Sequence, residues 1–134
     1  MMIYALTFMH TPYVWAGNNI HTGLDCSGYV LEVLKGVGFK LPDMTAQKIY
    51  QHFEYNQCQT SNPQRGNLLF FGESVDRISH IAIAFNETLM LESGGAGRGA
   101  TKEDSLKSGA GVRMRAINNR RDLIACLNIG EEYE

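Results

Sequence analysis

Cys26 stands in Gly23-Leu24-Asp25-Cys26-Ser27-Gly28-Tyr29-Val30, at the head of an amphipathic stretch. A thiolate is a far better nucleophile than a thiol, so chemistry at a cysteine depends on what favours its loss of a proton. Downstream, Val30, Val33, Leu34 and Val37 recur at helical spacing, Glu32 and Lys35 fall off that stripe, and Gly36 and Gly38 supply a stop. Asp25 is a good N-cap, able to accept from the free N–H groups of a first turn. The pattern predicts a helix opening at Cys26, where unpaired N–H groups and the positive end of the helix dipole favour a thiolate. Taken alone, a cysteine on the apolar face of a helix is most often a small buried hydrophobe.

The partner that would make Cys26 a catalyst is His80. It opens the alternating run 80–85, in which Ile81, Ile83 and Phe85 point one way and His80, Ala82 and Ala84 the other. The two alanines leave room beside an imidazole. A cysteine at a helix start and a histidine on a strand packed across from it form the thiolate–imidazolium arrangement of cysteine nucleophilic catalysis. The competing reading of His80 is a half-buried strand residue satisfied by a backbone hydrogen bond.

Other elements must bring these two together. Residues 2–9 read as a short helix closed by Pro12, followed by an extended or turning segment over 13–17. A second helix is expected over 45–53, with Asp43 or Thr45 as cap, and a polar loop over 57–64. From Gly66 the period changes: 68–71 reads as a buried strand ended by Gly72. Asn86-Glu87 is a turn joining the His80 strand antiparallel to 88–92. The glycine-rich stretch 93–111 is expected to be a mobile loop, with later strands over 112–117 and 123–129. Helices first and a meander of strands afterwards predict an α+β domain with N-terminal helices packed on a central antiparallel sheet.

The chain has 134 residues, 44% hydrophobic and 19% charged, with a net charge of −2. That fits one domain over residues 1–134 and gives no case for nucleic-acid or membrane binding through bulk electrostatics. Cys26, Cys58 and Cys126 are odd in number and irregularly spaced, which suits neither a disulfide framework nor a zinc motif. Cys58 and Cys126 have no evident partner and read as structural, and synthesis in a reducing compartment is the simplest inference. His10, His21 and His52 have no spacing that connects them, so neither a metal nor another cofactor is expected. The apolar start lacks the basic segment and cleavage site of a secretory signal and is too short for a membrane span. Delivery by another agent is therefore expected if the protein acts outside the cytoplasm.

Five blocks, namely Thr11-Pro12-Tyr13-Val14-Trp15-Ala16-Gly17, Gly23 to Val30, Leu41-Pro42, Arg65-Gly66-Asn67-Leu68-Leu69-Phe70-Phe71 and Ser79-His80-Ile81-Ala82-Ile83, resemble in order and spacing the NlpC-type cell-wall endopeptidases. The resemblance implies a papain-like fold and hydrolysis of peptide bonds in the peptidoglycan stem, commonly between D-glutamate and a diamino acid. Cys26 would then be the nucleophile and His80 the general acid and base, with the Cys26 N–H as oxyanion donor. Tyr13 matches the family's active-site tyrosine, against the alternative of an ordinary packing aromatic. The family's third residue is a polar group, often histidine, on the strand after the catalytic histidine; here Glu92 takes that place, unless it is a solvated strand-end charge. Asn67 stands where aspartate is common and Ala16 where glycine is. Asp25, Ser27, Ser79 and Arg98 are candidate substrate-binding residues, Arg98 lying with Lys102 and Lys107 in a flap bordering the cleft. The expected partner is a bacterial cell-wall peptide, reached at the wall by way of a phage tail or a secretion machine. The alternatives are an amidase or acyltransferase on another substrate, and a non-catalytic binding or assembly module.

Overall fold

The structure is a computed structural model that describes residues 1–19, 23–96 and 99–130. Its first well-formed helix, after the short α1 (Met2–Leu6), is α2 (Cys26–Gly36), and it begins where the cap chemistry requires. The Asp25 Oδ1 accepts the Gly28 N–H at 2.7 Å and the Ser27 hydroxyl at 3.2 Å, so the cap occupies one of the four N–H groups that a helix start leaves open. Gly28 is needed there for space: a Cβ would lie 2.2 Å from the Gly17 carbonyl oxygen. The loop carrying Tyr13 thereby packs directly on the first turn of α2. The Tyr29 hydroxyl ties α1 to the same helix through the Ala5 carbonyl at 2.9 Å. Helix α3 (Ala46–Phe53) is capped by Thr45, one of the two residues expected for that role.

Beyond the two-residue pair β1 (Asn18–Asn19) and β2 (Gly23–Leu24), strands β3 (Gln57–Cys58), β4 (Leu68–Ser74), β5 (Arg77–Ala84), β6 (Leu89–Gly94), β7 (Gly111–Ala116) and β8 (Leu123–Leu127) form a six-stranded sheet. Its order is β3-β8-β4-β5-β6-β7 and every pairing is antiparallel. The expected hairpin between β5 and β6 is present, with Ile83 opposite Leu91. One face of the sheet takes Val30, Val33 and Leu34 of α2 and Ile49 and Phe53 of α3 against Leu68, Phe70, Ile81, Ile83 and Leu91. Each such side chain removed from water contributes about 1.5–3 kcal/mol, so this one interface dominates the stability of the domain.

The opposite face carries a smaller apolar cluster of Leu69, Phe71, Ala82, Ala84, Met90, Ile117 and Cys126. This corrects one expectation: the alanines beside His80 are filled over by neighbours. The imidazole packs on one of those neighbours, with the Phe71 ring centroid 5.5 Å from its own. The loop expected over 57–64 contains strand β3, whose two residues pair only with β8, far away in sequence. The expected mobile loop over 93–111 is largely ordered. It continues β6 to Gly94, then forms α4 (Lys102–Ser108), started by a capping box in which Thr101 and Asp104 satisfy each other's backbone N–H. The Ser105 hydroxyl of α4 donates to the Tyr13 carbonyl, and the Trp15 N–H donates to Ala100, so this segment is strapped to the Tyr13 loop. Among the described residues no helix is long and apolar enough to cross a membrane.

Candidate active site

Cys26, on the helical layer, and His80, on the sheet, both line a cleft of about 210 Å³, together with Tyr13, Ser79, Glu92, Ser93 and the 94–96 backbone. A groove of about 270 Å³ lined by Thr60, Pro63, Ile117 and Leu123 holds no cysteine or histidine. Helix α2 therefore delivers a sulfur to the seam where strand β5 delivers an imidazole.

The imidazole is held from behind. His80 Nε2 lies 2.8 Å from Glu92 Oε1, and Glu92 is only 1% exposed. A carboxylate against Nε2 makes that nitrogen the N–H donor and leaves Nδ1 as the site for a further proton. Glu92 is thus no solvated strand-end charge. Burial opposes its ionisation, but the His80 hydrogen bond and charge, and then Arg113, outweigh that and hold its pKa at about 2. Its second oxygen accepts Arg113 Nε at 2.9 Å and Arg115 Nη1 at 3.1 Å.

Those arginines are the site residues that sequence reasoning missed. Glu92 is paired directly with Arg113 in the β6–β7 ladder, and Arg115 lies two residues along β7, on the same face. The alternation Arg113-Met114-Arg115 inside an expected strand was the available signal. Arg113 is roofed by the backbone turning out of β6: at Gly95, whose φ is +94°, a Cβ would sit 2.7 Å from Arg113 Nη1. That left-handed conformation favours glycine, and any larger side chain there would also push the Arg113 guanidinium aside. Arg120 also reaches the cleft, stacked 5.0 Å over the Phe71 ring and held by Asp122 through bonds of 2.9 and 2.7 Å.

The resting thiol is not the thiolate that its helix position suggested. Burial raises the Cys26 pKa and the Asp25 charge adds to this, outweighing the N–H groups of Ile81, Ser27 and Cys26 itself, to give a value of about 11. A thiolate at neutral pH must therefore come from proton transfer to a neighbouring base. Tyr13 is shifted upward too, by burial, by Cys26 and by Asp25, so its hydroxyl carries a proton to donate.

The remaining candidates divide. Ser79 lines the cleft. Asp25 and Ser27 do not: they face a separate depression with Asp43, Met44, Thr45 and Lys48, and Asp25 is committed to capping α2. Arg98, like His21, lies outside the described residues. Among the described residues no group of three or more His, Cys, Asp or Glu is arranged to hold a metal ion.

An antiparallel sheet with a cysteine-headed helix packed on one face and a histidine on the adjoining strand defines a papain-like α+β domain. The chain belongs to the NlpC/P60 family, whose profile matches residues 10–117. It is 35% identical over 107 residues to the bifunctional muramidase/DL-endopeptidase CwlT of Bacillus subtilis, an alignment covering 78% of this chain and 31% of that protein. Among solved structures it is similar to the peptidoglycan hydrolase RipB of Mycobacterium tuberculosis, with a TM-score of 0.73 at 22% identity over 97% of this chain and 63% of that one. RipD of the same organism, described as a non-catalytic NlpC/p60 domain protein adapted to peptidoglycan binding, has a TM-score of 0.73 at 18% identity, covering 96% of this chain and 94% of that one. The chain spans a third or less of the length of the first four curated relatives it matches.

Proposed function

We propose that this chain is a cysteine endopeptidase of peptidoglycan stem peptides, cutting the bond between a D-glutamyl residue and a diamino acid, with Cys26 as nucleophile, His80 as general base and acid, and Glu92 as the group that orients the imidazole. The carrying observation is the His80–Glu92 bond of 2.8 Å in the cleft that Cys26 lines. Family membership and the endopeptidase relatives support the substrate class.

On this reading the thiol proton passes to His80 Nδ1 as the sulfur attacks the scissile carbonyl, and the charge that leaves sulfur settles on the carbonyl oxygen. The Cys26 N–H, in the open first turn of α2, and the Tyr13 hydroxyl, in the same cleft, are the donors assigned to receive it. Collapse expels the amine, which takes the proton back from the imidazolium, and a thioester remains. Water, deprotonated by His80, then releases the acid and restores the thiol. Glu92 stays ionised throughout, since its pKa of about 2 lies far below neutral pH.

Defined muropeptides incubated with the purified protein and read by mass spectrometry should yield a new amine on the diamino acid. Cys26→Ala and His80→Ala should each lower turnover about 10³-fold or more. Undiminished cleavage by Cys26→Ala overturns the reading. One observation favours a second possibility, wall binding without catalysis: the upward-shifted Cys26 thiol. Retention of the wild type on sacculi with no amine released would select it.

A further inference from the structure

The cysteines without evident partners in the sequence meet in the fold. Cys58 and Cys126 are 68 positions apart, are directly opposed in the β3–β8 ladder, and bring their sulfur atoms to 2.9 Å. Directly opposed residues of an antiparallel pair have Cα atoms about 4.5–5.5 Å apart, inside the range that a disulfide spans. A bond needs the sulfurs to close from 2.9 Å to about 2.05 Å.

We propose that Cys58 and Cys126 are a disulfide-forming site that fastens the edge of the sheet under oxidising conditions. Cys58 is partly exposed and is the entry point; Cys126 is buried and resolves. The Cys58 thiolate attacks a small-molecule disulfide such as oxidised glutathione, forming a mixed disulfide and expelling one reduced thiol. Cys126 then attacks the Cys58 sulfur and expels the second glutathione, whose departing thiolate takes up the Cys126 proton. Two protein thiols are oxidised and one external disulfide is reduced to two thiols.

The surroundings tolerate both states. Reduced, Cys58 donates to the Cys126 sulfur and Cys126 donates to Asn67 Oδ1 at 3.3 Å. Oxidised, Asn67 Oδ1 keeps its bond from the Gln64 N–H at 2.8 Å, so no acceptor is orphaned. The gain falls where the sheet is weakest, because β3 is a two-residue edge strand held to β8 by a ladder of the same length. Pairing 58 with 126 also explains the odd cysteine count, since Cys26 in the cleft is left as the one thiol.

The test equilibrates the purified chain in glutathione buffers from fully reduced to fully oxidised, alkylates it under denaturing conditions and maps the cysteines by mass spectrometry. The expected result is the loss of two hydrogens, a linked peptide pair containing Cys58 and Cys126, and Cys26 alkylated. The melting temperature should rise by about 5 °C or more on oxidation, because a cross-link over so long a span constrains the unfolded chain strongly. Cys58→Ser, a near-isosteric change at the partly exposed sheet edge, should abolish that rise. Three alkylated cysteines at the oxidised limit, glutathione adducts that do not resolve, or a link involving Cys26 would each overturn the proposal.

Discussion

Glu92 and Arg113 face each other across the β6–β7 ladder, and the guanidinium Nε donates to the carboxylate Oε2 at 2.9 Å. The other carboxylate oxygen is turned to His80. One buried side chain thereby joins the imidazole to a pair of arginines, and its orientation is fixed at both ends. Removing Arg113 should be felt at the imidazole, to which it is linked through Glu92. Arg113→Ala is expected to reduce turnover on the order of 10- to 100-fold with little change in KM, as a small misplacement of a catalytic group does. Arg113→Lys, which lacks the planar fork, should recover only part of the loss. A variant with normal turnover would show that the arginines only solvate the cleft.

The same network sets an acid limit to stability. The Glu92 pKa is about 2 in the fold against an ordinary value of 4.5, so its contribution is fully present above 4.5 and is lost as the pH falls from there towards 2. Denaturant unfolding followed across that window should show stability declining in the wild type. Glu92→Gln has no such proton to take up, so its decline should be shallower and its deficit relative to wild type should shrink as the solution becomes more acid. Parallel curves would remove Glu92 from the account.

Asp25 performs two opposed services, capping the helix and raising the Cys26 pKa. Asparagine keeps an oxygen for the Gly28 N–H and discards the charge. Asp25→Asn should therefore preserve the melting temperature and move the pH dependence of Cys26 alkylation by iodoacetamide to lower values. Asp25→Ala should instead cost about 1 kcal/mol of stability through the lost cap. If Asp25→Asn leaves the alkylation profile where it was, the carboxylate does not act on the thiol.

The Ser105 hydroxyl is donated to the Tyr13 carbonyl, from a side chain that is almost fully buried. Ser105→Ala leaves that carbonyl without the donor, at a cost of about 1–3 kcal/mol. Hydrogen exchange should quicken in α4 and in the Tyr13 loop together. Faster exchange in α4 alone would mean that the two segments are not coupled.

What was legible in the sequence was local. Asp25, Cys26 and the Val30, Val33, Leu34 stripe encode α2 within a dozen residues, and the alternation from His80 encodes β5 in the same way. Glu92 was placed only through family resemblance. Arg113 and Arg115 stayed hidden because their meaning lies in the β6–β7 register, which pairs residues 21 and 23 positions from Glu92. Helix α4 was masked by the glycines around it, although Thr101 and Asp104 carry the spacing of a capping box. Strand β3 and the Cys58–Cys126 contact depend on a partner strand at the far end of the chain, and no window along the sequence contains both.

Sulfur belongs to the helical layer and imidazole to the β-layer, with the large apolar interface between them. On the mechanism proposed above, no fragment holding one layer catalyses, and a collapsed intermediate whose helices have not docked is inert however complete its hydrogen-bonded ladder. Turnover thus doubles as a gauge of tertiary assembly, and the domain is harmless to any bond until its two halves close on each other.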